Sequence, residues 1–223
     1  MKFSEFKKTL RIDVNEPYPS VRIPNLNDIK RDGLLLQHIE NKTPETCMTA
    51  VMENGYALRY VENQTPELCL AAVEENGLVL EYVEKQTPEL CMAAVNQNGD
   101  ALAYVENKTT EICMVAVRRN GLALQNIENQ TDEICMAAVM QDGHALEYVE
   151  NQTDEICLAA VMENGCALSL VENKTSEICL AAVEQDGYAL TLISNQTIEL
   201  CMAAVRQNSH VLNYVDRSIF DPE

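Results

Sequence analysis

One spacing constrains this chain more than any other property. Threonine recurs at 43, 65, 87, 109, 131, 153, 175 and 197, and a cysteine follows each of them four residues later, from Cys47 to Cys201. All eight glycines lie on the same grid, from Gly33 to Gly187. The interval is 22 residues, with no insertion or deletion. A fixed period in this range marks a stacked array, in which each unit is one supersecondary element that cannot bury its apolar face alone.

Residues 65–86 show what a unit encodes. Thr65 suits a helix N-cap, because its hydroxyl accepts from an orphan backbone N–H of the first turn. Pro66 fits the first helical position, where its missing N–H costs nothing. Glu67 follows in the turn that favours an anion, and all eight units carry Glu there, from Glu45 to Glu199. Leu68, Cys69, Ala72 and Val73 fall at i, i+1, i+4 and i+5, one face of a helix rather than the alternation of a strand. Asn76-Gly77 ends that helix, with glycine expected in the left-handed conformation after the C-cap. The first helix should run about 11 residues and a second about 7, carrying Val79, Leu80, Tyr82 and Val83 inward. Helices this short are marginal alone, so stacking must supply the core.

The fold class predicted is therefore all-α, an α-solenoid of stacked short helix pairs with caps at both ends. Residues 1–20 form an N-terminal cap segment and 21–42 a degenerate first repeat, in which Val21 replaces the capping Thr and Asn25 the Cys. Eight 22-residue repeats occupy 43–218, and 219–223 cap the C-terminus. Phe3, Phe6 and Leu10 should cover one apolar end, and Ile219 with Phe220 the other. The alternative is a homodimer paired through one end of the solenoid.

Net charge is −19, from 16 basic and 35 acidic residues. Much of it sits in two ladders, the Glu after each capping Thr and a second from Glu40 to Glu172 near the end of each unit. That balance argues against direct nucleic-acid binding, which needs phosphate neutralisation. No apolar run reaches the length of a membrane span, and the lysines near the start precede no apolar h-region of a signal peptide. A soluble, intracellular, unsecreted protein is expected. In a reducing compartment the nine cysteines read as small buried hydrophobes; neighbouring ones should be too far apart to bridge. Cys166, just after a glycine, should be exposed. No metal-ligand spacing, cofactor motif or catalytic constellation is present, so no enzyme is expected. His38, His144 and His210 lie far apart along the array.

The pattern Pro-Glu-Leu-Cys-Leu-Ala-Ala-Val-x-x-Asn-Gly-x-x-Leu-x-Tyr-Val resembles a helical repeat family of unknown function. That family is frequent in large DNA viruses of amoebae and in intracellular bacteria of the same hosts. The resemblance covers about residues 43–216. It implies an all-α superhelix and a role in the infected cell or the virion, and it carries no catalytic residues.

Function should sit where the repeats differ. The position before the end of the first helix holds Met52, Glu74, Asn96, Arg118, Met140, Met162, Glu184 and Arg206. The residue after glycine varies among Tyr56, Leu78, Asp100, Leu122, His144, Cys166 and Tyr188, and the residue three further on from Arg59 to Asn213. The last two sets share a helix face. Together they make a mixed stripe of the kind repeat proteins use for binding. Tyr56, Leu78, Arg118, Leu122, His144 and Tyr188 are the candidate partner-binding residues, and drift after duplication is the competing explanation. The function expected is a non-enzymatic protein–protein interaction scaffold. Alternatives are a structural virion protein assembling through its ends, or an acidic binder of basic chromatin proteins.

Overall fold

The computed structural model describes residues 23–220. Each of the eight repeats is a ten-residue α-helix followed by a six-residue 3-10 helix, as in Pro66–Glu75 and Gly77–Tyr82. The array runs from Pro44–Glu53 to Ile198–Gln207 with its following Ser209–Tyr214. Among the described residues there is no strand. The threonines cap as their spacing predicts: Thr65 Oγ1 accepts from Leu68 N at 3.3 Å, and Thr131 does the same for Ile134. The first unit departs from this scheme. Its α-helix is only Leu26–Ile29, and its cap is Asn25, which forms a capping box with Asp28.

One expectation about the end of each first helix is corrected. None of the eight glycines has the positive φ of the left-handed region. Asn76 is itself extended, at φ −152°, and its side chain accepts from Leu78 N, so it closes one helix and caps the next. Glycine is required instead by the neighbouring repeat. A Cβ on Gly77 would lie 2.4 Å from the carbonyl oxygen of Ala94, and one on Gly33 would lie 2.2 Å from that of Ala50. Each glycine is where the next α-helix presses against the chain.

The second helix is 3-10, with three residues per turn, so residues i and i+3 eclipse. Gly77, Leu80 and Val83 accordingly all face the core, with Val79 beside them. Tyr82 does not point inward as expected. It is half-buried, and its counterpart Tyr104 is 37 % exposed. Tyr82 stands in one column with the fully buried Val79, three residues earlier, and its longer side chain reaches out to the rim.

Successive α-helices pack side by side, as do successive 3-10 helices, and each α-helix also packs on the 3-10 helices next to it. Ala72, Val73, Val79 and Leu80 are fully buried between these layers, and their equivalents continue the same core along the array. All nine cysteines are free thiols, eight of them buried in this core and Cys166 exposed.

Two glutamine ladders lock the repeats together. Gln64, the last residue of its repeat and just before the next repeat's threonine, reaches into the following unit. Its Nε2 donates to Tyr82 O at 2.7 Å, and its Oε1 accepts from Glu84 N at 3.0 Å and from the Cys69 thiol. Gln86, Gln130 and Gln152 repeat the set. Lysine interrupts the ladder at 42, 108 and 174, and Lys174 Nζ turns to Val171 O in its own repeat. The second ladder points backward. Gln97 Oε1 accepts from Gly77 N at 2.8 Å while its Nε2 donates to Glu75 O. Gln141, Gln185 and Gln207 take the glycine N–H in the same way.

At the C-terminal end the cover is incomplete. Ile219 packs on the core, but Leu212 and Phe220 are 57 % and 48 % exposed. They line an open apolar cavity of about 560 Å³ with Met202, Val205 and Val215, flanked by Arg206 and Arg217. Phe3, Phe6 and Leu10, expected at the other end, lie outside the described residues.

Candidate binding surface

The 3-10 helices form one edge of the array. Their eclipsed geometry sets the residue after glycine and the residue three further on along one side. Tyr56, Leu78 and Leu122 are half-buried there, whereas His144 and Tyr188 are exposed. The positions from Arg59 to Asn213 are exposed in every repeat. The rim tyrosines widen this stripe. Tyr56 meets Tyr82 of the next repeat edge-on, with ring centroids 6.1 Å apart, and Tyr188 meets Tyr214 at the same distance. The Arg59 guanidinium lies 5.3 Å from the Tyr60 ring centroid and 5.4 Å from that of Tyr82. The Glu81 carboxylate, hydrogen-bonded to the Tyr82 phenol, pushes its pKa up.

His144 joins two repeats. Its Nδ1 lies 3.2 Å from Asp142 Oδ1 and 3.3 Å from Asn164 Nδ2. Arg118 belongs to the other layer, at the exposed end of helix Thr110–Arg119, and makes no ring contact or ion pair among the described residues. Five of the six candidate residues thus share an edge, and Arg118 stands apart on the α-helical layer.

Cys166 is on that edge but is not an activated nucleophile. Its thiol is 3.7 Å from Asp186 Oδ2, and partial burial together with that carboxylate raises its pKa. Thiolate is the reactive form. Asp186→Asn should lower the Cys166 pKa and speed its alkylation at pH 8 by about two- to tenfold. The other eight thiols, raised chiefly by burial, should react only after unfolding. Timed iodoacetamide labelling with mass spectrometry reads both; an unchanged Cys166 rate would show that Asp186 does not hold the thiol protonated.

The sequence reading passed over the outward face of the α-helical layer. Positions three, six, seven and ten of each repeat share one side of the helix, opposite the buried face. The third is the exposed Glu ladder. At the sixth stand Met48, Leu70, Met92, Met114, Met136, Leu158, Leu180 and Met202, all half-buried or exposed. At the tenth, Met52, Met140 and Met162 are 63–66 % exposed. Between the last two α-helices, a groove of about 390 Å³ is lined by Leu180, Ile198, Met202 and Ala203 with Glu184, Glu199 and Arg206. The signal was present in the sequence, since Met or Leu stands at the sixth position in all eight repeats, outside the apolar face used for the core.

Among the described residues, no group of three or more His, Cys, Asp or Glu could hold a metal ion, and no helix is long and apolar enough to cross a membrane. The one basic–acidic side-chain contact among them is His144 with Asp142, an ion pair only when the imidazole is protonated, so the glutamate ladders form no ion pair with another described residue.

A family model described as a domain of unknown function (DUF4116) matches residues 65–110, 109–153 and 175–220. Each match spans two of the repeats. No curated protein and no solved structure matches the chain. With the matched segments covering more than half of the sequence and all built of the same helix pair, the chain belongs to the DUF4116 family, a helical repeat family of unknown function.

Proposed function

We propose that this protein is a non-enzymatic protein–protein interaction scaffold, soluble and intracellular, which acts in an infected host cell or in a virion. One observation carries the reading. The positions buried in the stack hardly change between repeats, whereas the three that vary most are exposed or half-buried wherever they occur. A rigid lattice then presents a changing set of side chains, as repeat proteins do when they bind. Aromatic and Arg residues, enriched at interfaces, gather in the stripe at Tyr56, Arg59 and Tyr82. The resemblance to a repeat family frequent in amoebal viruses and in intracellular bacteria of the same hosts supports the setting.

A second reading is favoured by the apolar cavity at the C-terminal end: a structural protein that assembles through its ends. Light scattering over a concentration series separates the two, because a scaffold need not self-associate.

The test of the scaffold is to change Tyr56, Leu78, Arg118, Leu122 and Tyr188 together to Ser, verify folding by circular dichroism, and repeat affinity capture from host-cell lysate. The expected result is loss of the partners that the parent captures. Retention of every partner at unchanged yield would refute the stripe as the binding face.

A further inference from the structure

We infer that the outward face of the α-helical layer is a docking site for a basic amphipathic helix of a partner protein; this deepens the scaffold reading and rests on it. Two features of one face carry the inference. The sixth-position row, with Met92, Met114 and Met136 at its centre, is apolar and incompletely buried in every repeat. Three residues before each member of the row stands an exposed glutamate, here Glu89, Glu111 and Glu133. Residues at i and i+3 are neighbours on a helix surface, so the apolar row runs beside a carboxylate rail. No described cation forms an ion pair with that rail, and the only basic side chains on this face of the eight repeats are Arg118 and Arg206 at the tenth position.

Charge complementarity selects the occupant. An apolar segment with acidic flanks would be repelled by the rail, and an uncharged one would leave it unused. A helix with one apolar side bordered by Lys or Arg satisfies both rows at once. Methionine suits this task, because its unbranched, polarizable side chain adapts to irregular apolar surfaces. The spacing fits as well. Packed helices lie about 8–10 Å apart, and two turns of an α-helix rise about 10.8 Å. A helix laid along the array therefore brings apolar residues at i, i+7 and i+14 onto successive members of the row.

The probe is a fluorescein-labelled 18-residue peptide of Leu and Lys, with Leu at the i, i+3, i+4 and i+7 positions, titrated with the full chain and followed by anisotropy. The controls are a peptide of the same composition with its leucines scattered around the helix, and a Leu–Glu amphipathic peptide. The patterned Leu–Lys peptide should bind, weaken with added salt, and exceed both controls by at least about tenfold, a difference of about 1.4 kcal/mol. Met92, Met114 and Met136 changed together to Gln should cut its affinity by a similar factor. Glu89, Glu111 and Glu133 changed together to Gln should cut it and flatten the salt dependence; these residues are exposed, so that variant remains informative if the methionine variant proves unstable. No binding, equal binding of the scattered peptide, or unchanged affinity in the glutamate variant would overturn the inference. Lysate partners lost from the stripe variant would in that event leave the scaffold standing and remove only this face from it.

Discussion

Gly121→Ala is expected to destabilise the array by about 3 kcal/mol or more, the upper range for overpacking. The new Cβ would lie 2.4 Å from Ala138 O and 3.2 Å from Asp142 N. Both are backbone atoms around helix Asp132–Gln141, so relief requires moving a whole repeat rather than a rotamer. The sign is diagnostic. At a glycine whose φ suits any residue and whose surroundings are open, alanine stabilises by about 0.4–1 kcal/mol through the unfolded chain. The last repeat supplies an internal control. There the position holds Ser209, which is exposed, and Ser209→Gly should change stability by no more than about 0.5 kcal/mol. Urea denaturation of the two variants against the parent measures both. A neutral or stabilising Gly121→Ala would mean that the repeats do not approach as closely as described.

The second large effect should come from Gln130→Ala. This side chain donates to Tyr148 O at 2.7 Å and accepts from Glu150 N at 3.1 Å and from the Cys135 thiol at 3.3 Å. Its removal leaves a partly buried carbonyl and a backbone N–H without their partner, at a cost of about 1–3 kcal/mol. Gln130→Lys should be milder. A lysine can keep the bond to its own repeat, as Lys174 does to Val171 O, and loses those to the next one. Equal stability of the alanine variant and the parent, in the same denaturation experiment, would show that water replaces the glutamine without loss.

The helix pairs, their caps and their inward apolar residues were legible because the period reports them directly. Thr65 followed by Pro66 and Glu67 can be read as a helix start from chemistry internal to one unit. What was misread depended on the neighbouring unit. Gly77 was assigned a conformational task, whereas its task is to leave room for Ala94 O. Gln64 and Gln97 carried no local signal, because their partners are Tyr82 and Glu84, or Gly77 and Glu75, in adjacent repeats. The 3-10 register of the second helix was missed as well, although Gly77, Leu80 and Val83 at three-residue intervals already spelled it. For the candidate surface, Tyr56, Leu78, Leu122, His144 and Tyr188 were found from variation alone. The methionine row was overlooked because it does not vary, and invariance was equated with burial.

The central claim is that a shared buried lattice holds the fold while exposed side chains carry the binding. The most direct measurement compares two variants side by side for lysate capture and for urea stability, the Tyr56, Leu78, Arg118, Leu122 and Tyr188 to Ser variant and Gln130→Ala. The predicted result is that the first loses its partners although it remains folded, and that the second keeps them at a lower stability, under conditions where both remain folded. Capture that survives in the first and fails in the second would contradict the account.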